Sequence, residues 1–194
     1  SNFLNLKKEN ERLNAEIEKY KSLELNVEFL SDENKNLQKI LETEYFNKNL
    51  SNILLAKVLV DKNSPFLKSI IINKGTSSGV LKGMPVTKDN YLVGRVVETN
   101  YLSSRVLLLN DLNSRIPVTL DQGAQAILSG SGSNNPYLEY LPEGYEILSN
   151  INVFASGKDG IFSPGTPIGK TNDKGEIDLF VDPNQLSFVT VNLS

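Results

Sequence analysis

Proline and glycine are distributed very unevenly along this 194-residue chain. All 13 glycines and all 8 prolines lie beyond residue 64, and the first of each are Pro65 and Gly75. A stretch without either residue, rich in leucine, glutamate, lysine and asparagine, favours an uninterrupted helix. We therefore predict a helix from Asn2 to about Asn49, roughly 70 Å long at about 1.5 Å per residue.

The apolar residues of this helix recur in heptad steps of three and four. Two such runs meet at Tyr20, where the steps from Ile17 to Tyr20 and from Tyr20 to Leu23 are both three residues. Two successive steps of three form a stammer, which locally overwinds a supercoil. A narrow stripe over about six heptads fits a pair of helices better than one helix packed on its own domain. The predicted dimerisation seam consists of Leu6, Asn10, Leu13, Ile17, Tyr20, Leu23, Val27, Leu30, Asn34, Leu37 and Leu41.

Two asparagines, Asn10 and Asn34, fall at a positions of the seam. A buried asparagine lowers stability, but it finds its partner only when two helices run parallel and in register. The sequence therefore favours a parallel dimeric coiled coil. Glu16 and Lys21 can pair between the two chains, for a gain of only about a few tenths of a kcal/mol.

After residue 50 the apolar period changes to two, which is typical of strands with one buried face. Turn signals separate the strands, and Asn73–Gly75 and Asp173–Gly175 each place a glycine where a hairpin needs positive φ. Many short strands without intervening helices predict barrels or sandwiches. The predicted strands are 53–60, 66–72, 84–86, 92–98, 105–110, 116–120, 124–128, 137–140, 151–155, 167–171, 177–181 and 187–193.

Histidine and cysteine are both absent from the chain. Without them, Ser-His-Asp, Cys-His and zinc-water chemistries are excluded, as are disulfides. The net charge of −3 argues against nucleic acid as the main partner. No run of 18 apolar residues is present to span a membrane. We predict no catalytic residue, no cofactor and no metal site.

Three motifs resemble those of catalytic or ligand-binding sites, but each has a simpler structural explanation. Gly165–Thr171 reads GTPIGKT, but a phosphate-binding loop needs four residues between its glycines and a helix after them. Ser156 and Lys158 form a peptidase dyad only if the lysine is buried beside the serine, whereas a glycine-rich loop favours a solvated lysine.

The third motif is a set of carboxylates, Glu139, Glu143 and Glu146, near Pro142 and Gly144. They could bind a cation or form an acid–base pair, but we interpret them as a solvated acidic loop. For Asp111, which follows an apolar run, we predict an Asx turn.

Five segments, in order behind the predicted coiled coil, resemble the periplasmic region of the rod shape-determining MreC family. The first reads NKGTSSGVLKGMPV and the second LVGRVVE. The resemblance covers about residues 20–193. The segments are Asn73–Val86, Leu92–Glu98, Ser103–Val118, Ile127–Gly132 and Ala155–Thr171.

The resemblance implies a mainly β fold: an N-terminal coiled-coil helix followed by two small β-barrels. The strand tally predicts that the last strand returns to the first barrel. The expected domains are the helix at 1–49, the first barrel at 50–112 plus 184–194, and the second barrel at 113–183. The family's barrels resemble those of chymotrypsin-like proteases without their catalytic residues.

The family implies a non-enzymatic scaffold of the cell-wall elongation machinery, on the periplasmic face of the bacterial inner membrane. Its implied partners are other copies of itself, MreD, MreB, RodA and penicillin-binding protein 2. We expect a membrane anchor in a segment absent from this chain, which begins in mid-helix at Ser1. Two alternatives are a degenerate chymotrypsin-like or Ser-Lys peptidase, and a transport adaptor, which needs a second helix running back.

Overall fold

The computed structural model describes residues 2–46, 52–63, 68–121 and 123–193. Helix α1 spans Asn2–Phe46, as predicted from the absence of glycine and proline; the predicted last turn, residues 47–49, lies outside the described residues.

The chain divides into two compact units, Ser1–Ser51 and Asn52–Ser194. We call residues 52–193 the β body. The described residues contain no second long helix, so the return helix of a transport adaptor is not found there.

Twelve strands lie in the described residues of the β body, and each corresponds to one predicted segment. They differ from the predicted bounds only at their ends, and residues 66–67 of the second prediction lie outside the described residues. The strands are β1 Ile53–Asn63, β2 Lys68–Ile72, β3 Pro85–Lys88, β4 Tyr91–Thr99, β5 Ser104–Leu108, β6 Arg115–Leu120, β7 Gln125–Ser129, β8 Tyr137–Glu139, β9 Asn152–Ala155, β10 Pro167–Thr171, β11 Ile177–Leu179 and β12 Phe188–Asn192.

The first sheet is a closed antiparallel barrel with strand order β1-β12-β3-β4-β5-β2. Its last strand comes from the far end of the chain: Val191 of β12 faces Leu54 of β1 on one side and Val86 of β3 on the other. The predicted return of the last strand to the first barrel is therefore confirmed. Closure leaves no unpaired strand edge in this sheet.

The second sheet has six strands in the order β11-β10-β9-β6-β7-β8. Its two outer strands approach each other at one end, where a bridge joins Tyr137 to Glu176. The Ile177 N–H also donates to the Pro136 carbonyl at 2.8 Å. The sheet is thus barrel-like, and the predicted mainly β fold with two barrels is confirmed.

Each sheet encloses its own apolar core, and the two cores meet at β4. Val93 lies in the core of the first sheet, while its neighbour Leu92 lies in the core of the second. In the same way, Leu108 lies in the core of the first sheet and Leu109 in the core of the second. Successive side chains of a strand point to opposite faces, so one extended segment contributes to both cores. The domain bounds at 112/113 and 183/184 remain a proposal.

The two predicted glycine turns have different outcomes. Gly175 has φ +76°, as a hairpin turn requires, and this prediction is confirmed. The prediction for Gly75 is wrong, because its φ is −138° and β2 pairs with β1 and β5 rather than with the next strand. Gly75 instead allows a close approach, since a Cβ there would lie 2.1 Å from the Asn100 carbonyl oxygen.

Candidate functional site on the helix and the barrel surface

In the described part of the chain, the apolar side chains of the predicted seam are largely exposed to solvent. Leu13, Ile17 and Leu23 remain 46–48% exposed. Leu6, Tyr20, Val27 and Leu30 are more exposed still, and Leu37 is half-buried. Leu41 lies in the helix, but its side chain is outside the described residues. Seven large apolar side chains on one water-exposed helix favour burial against a partner.

Of the two polar seam positions, Asn10 has a side-chain hydrogen bond within the single chain and Asn34 is solvent-exposed. Asn14 Nδ2 donates to Asn10 Oδ1 at 2.9 Å. Lys21 Nζ contacts Glu18 Oε1 at 3.0 Å rather than Glu16, and pairing of Lys21 with Glu16 between two chains remains a prediction. Exposed pairs of this kind contribute little and exchange readily, so they do not prevent the helices from pairing.

Besides Phe3, which continues the heptad spacing before Leu6, three exposed apolar residues of the helix lie outside the seam and were missed by sequence reasoning: Leu4, Leu25 and Phe29. In the predicted register they fall at outer positions, and Leu25 and Phe29 are one helical turn apart. The sequence marks these residues only by their hydrophobicity. They were missed because heptad spacing selects only the a and d positions. These residues provide a matched comparison for tests of the seam.

The residues of the proposed peptidase dyad do not assemble a base beside a nucleophile. Lys158 is exposed, and its backbone N–H donates to Ser156 Oγ at 3.3 Å, as in a serine turn. Gly165–Thr171 is a turn followed by β10, which pairs with β9 and β11. The segment is therefore used in the sheet and does not precede a helix.

The three carboxylates do not converge. Glu139 is half-buried on β8, where it accepts hydrogen bonds from Ser129 Oγ and from the Tyr137 hydroxyl, and Arg115 Nε lies 3.6 Å away. Glu143 and Glu146 are exposed. Within the described ranges, no group of three or more acidic side chains is placed to hold a metal ion.

The predicted Asx turn at Asp111 is confirmed. Asp111 Oδ1 accepts a hydrogen bond from the Asn113 N–H at 2.7 Å. Asp111 is fully buried, and its Oδ2 accepts from the Lys68 N–H at 2.6 Å, a contact that sequence reasoning did not anticipate. One carboxylate thus fixes both the start of β2 and the connection between the two sheets.

The most exposed aromatic residues of the described β body each lie near an exposed leucine in sequence. Tyr101 and Leu102 lie on the β4–β5 turn, and Tyr140 and Leu148 lie on the connection after β8. Tyr140 has φ +59°, an uncommon conformation for a tyrosine. Helix α1 is not apolar enough to cross a membrane, nor is any other helix in the described ranges.

This fold defines a class of protein in which a long helix with an exposed heptad stripe precedes a closed barrel and a second barrel-like sheet. The family model described as "Rod shape-determining protein MreC, barrel core" matches residues 58–192. The chain belongs to the MreC family of cell shape-determining proteins.

Individual relatives agree with the family match. The cell shape-determining protein MreC of Caulobacter vibrioides is 33% identical over 190 residues, 95% of this chain and 54% of the relative. The chain therefore spans about half the length of that protein. The crystal structure of MreC from Pseudomonas aeruginosa is 28% identical, with a TM-score of 0.66 over 73% of this chain and 99% of that one.

A more distant match shares the fold alone. It is a complex between Penicillin-Binding Protein (PBP2) and MreC from Helicobacter pylori, with 12% identity and a TM-score of 0.55. The aligned part covers 73% of this chain and 99% of that chain.

Proposed function

We propose that this chain is a non-enzymatic scaffold of the cell-wall elongation machinery, held as a parallel dimer by helix α1. The observation that carries the proposal is the exposed seam on a 45-residue helix. A scaffold needs a stable body and a means of joining bodies together. Pairing would hold two β bodies side by side, where their surfaces bind other proteins.

The β body supports a binding role. Its apolar residues are largely enclosed in two cores, and its polar motifs are engaged in turns and strand pairing. The chain has no imidazole or thiol to serve as a general base or nucleophile. Membership of the MreC family supports a role in cell shape.

The proposed location is the periplasmic face of the bacterial inner membrane, with the anchor in a segment outside this chain. The proposed partners are further copies, MreD, MreB, RodA and penicillin-binding protein 2. The Helicobacter pylori complex supports the last of these, since an MreC of the same fold is solved there with PBP2. Co-purification of each protein with the tagged chain from membrane extracts tests each partner separately.

Replacing two seam leucines tests the dimer. In Leu13→Gln/Leu30→Gln we expect dimerisation to weaken at least about a hundredfold, because each buried leucine contributes about 1.5–3 kcal/mol. Sedimentation equilibrium over a concentration series measures the dissociation constant. The matched control is Leu4→Gln/Leu25→Gln, which changes the same residue types outside the seam and should leave the constant unchanged.

Two results would contradict this proposal. The first is a wild-type chain that remains monomeric at tens of micromolar. The second is equal weakening in both leucine pairs, which would mean that general helix hydrophobicity, rather than the seam, drives association. Circular dichroism of each variant shows whether the β body is intact.

A further inference from the structure

The β4–β5 turn presents two large apolar side chains to solvent. Asn100 N donates to the Ser103 carbonyl at 2.8 Å, which closes a hairpin with only two residues, Tyr101 and Leu102, at its tip. Neither tip residue has positive φ, so the turn does not demand glycine or asparagine there, and most residue types can occupy it. Here Tyr101 is 72% exposed and Leu102 is 69% exposed. Turn geometry does not require these side chains, so their presence calls for another explanation.

The tip is fixed to the 3-10 turn at Thr76–Ser78. Thr76 N donates to the Asn100 carbonyl at 2.9 Å, and Ser77 N donates to the Tyr101 carbonyl at 3.0 Å. The absence of a side chain at Gly75 permits this approach. The tip is therefore preorganised, and docking it costs little additional conformational entropy.

The segment bonded to the tip is basic in sequence, although the chain is acidic overall. Residues 71–88 contain Lys74, Lys82 and Lys88 and no acidic residue, and residues 99–104 carry no charge. Arg105 beyond the tip is paired with Glu98, with its Nε 3.0 Å from the carboxylate. By contrast, residues 116–157 contain four acidic residues and no lysine or arginine. Lys88 lies opposite Tyr91, at the end of β4 away from the tip, which leaves Lys74 and Lys82 as the cations of the segment bonded to the tip.

The composition of this surface fits a lipid bilayer better than a protein. Leu81 and Lys82, further along the same segment, are also exposed. A stable protein interface uses about 20–30 residues on each side. A bilayer surface accepts a small apolar insertion, favours tyrosine at the headgroup level, and attracts lysine when its lipids are anionic.

We propose that the β4–β5 turn docks on an anionic phospholipid surface. Tyr101 and Leu102 enter the headgroup region, and Lys74 and Lys82 face the lipid phosphates. This surface differs from the helix seam, and it orients the β body independently of helix pairing.

Vesicle co-sedimentation of the full chain tests this inference, with mixed phosphatidylethanolamine and phosphatidylglycerol vesicles as the probe. We expect binding that weakens as salt is added, because salt screens the lysine–phosphate attraction. Tyr101→Ser/Leu102→Ser should bind at least about fivefold more weakly, since the apolar insertion is lost. Lys74→Gln/Lys82→Gln should bind phosphatidylglycerol more weakly and lose most of the salt dependence.

The matched control is Tyr140→Ser/Leu148→Ser, which removes a comparably exposed tyrosine and leucine from the acidic connection after β8. It should bind like the wild type. The seam variant Leu13→Gln/Leu30→Gln should still bind, at the lower apparent affinity of a single tip, so that failure of the dimer and failure of this inference are distinguishable. Unchanged melting temperatures show that each variant is folded.

Four results would overturn the inference: no binding of the wild type at low salt; equal binding to neutral phosphatidylcholine vesicles; equal loss in the tip and control variants; or full binding by the tip variant. Self-association that the tip variant alone loses, without vesicle binding, would assign the surface to a second copy of the chain.

Discussion

At Gly94, strand β4 passes so close to β5 that no side chain fits between them. A Cβ at this position would lie 2.0 Å from the Leu107 carbonyl oxygen. The register of β4 shifts on both sides of the glycine, against β3 and against β5. The barrel therefore bends tightly at a residue whose only relevant property is the absence of a side chain.

We expect Gly94→Ala to lower the free energy of unfolding by at least about 3 kcal/mol, because the backbone of β5 cannot yield without breaking strand pairing. Urea denaturation followed by circular dichroism measures the change. Gly144→Ala is the control: it has φ +76° with open space around it, so its cost is only about 1–2 kcal/mol of backbone strain. Equal losses in the two variants would rule out the steric explanation.

Local rules predicted some of these residues and not others. A glycine inside a strand pattern indicates a bulge or a close approach, and Gly94 has both. An acidic residue after an apolar run indicates an Asx turn, and Asp111 forms one. The same rules misassigned Gly75, because its role depends on a turn about 25 residues away, which no local pattern records. They also missed the buried bond from Asp111 to the start of β2 for the same reason.

Helix α1 and the strands of the β body differ in how far their apolar side chains are buried. The strands bury theirs inside two sheets, whereas the described seam residues of the helix remain largely exposed. Periodicity predicted both types of element, because each period determines which residues share a face. It did not predict Leu25 and Phe29, which lie off the seam and have no role in the predicted pairing.

The two seam asparagines give a prediction about specificity. If Asn10 and Asn34 set the register, Asn10→Leu/Asn34→Leu should raise the melting temperature and permit other oligomers, since leucine packs in any register. Calorimetry and light scattering provide the two measurements. Asn14→Leu, just outside the seam, is the control. Unchanged stability and unchanged stoichiometry in the double variant would show that the asparagines do not act as register determinants.

The whole β body is predicted to respond as one cooperative unit. Leu92 of β4 is almost fully buried in the core of the second sheet, although its strand belongs to the first. Val181 and Leu186, on the connection that returns from the second sheet, pack on the first core. The sheets are therefore joined by shared apolar contacts as well as by the chain.

We expect Leu92→Ala to cost about 2–5 kcal/mol and to speed amide hydrogen exchange in both sheets by similar factors. Leu128→Ala, deep in the second core alone, is the comparison, and in a coupled body it too should affect both sheets. Exchange measured by mass spectrometry on peptides from β5 and β7 gives the answer. Faster exchange confined to one sheet would show that the two sheets unfold separately.

At this scale the number of strands was predicted by counting apolar segments, and the return of β12 was predicted from that count together with the two barrels that the family resemblance implies. The sequence did not predict how the two cores meet. That contact depends on Leu92 and Val93 facing opposite ways into different cores, and the strand pattern alone does not say that both faces of β4 are covered.

The pairing of Ile53 with Asn192 has a consequence for biosynthesis. Strands β6 to β11 are contiguous between residues 115 and 179, so the second sheet can form while the chain is still being translated. Strands β1 to β5 leave the ribosome earlier, yet their barrel cannot close until β12, which ends at Asn192, has been synthesised. Until then the nascent chain exposes the edges of β1 and β3 that pair with β12 in the folded barrel, and a chaperone that shields bare strand edges would be most useful in that interval.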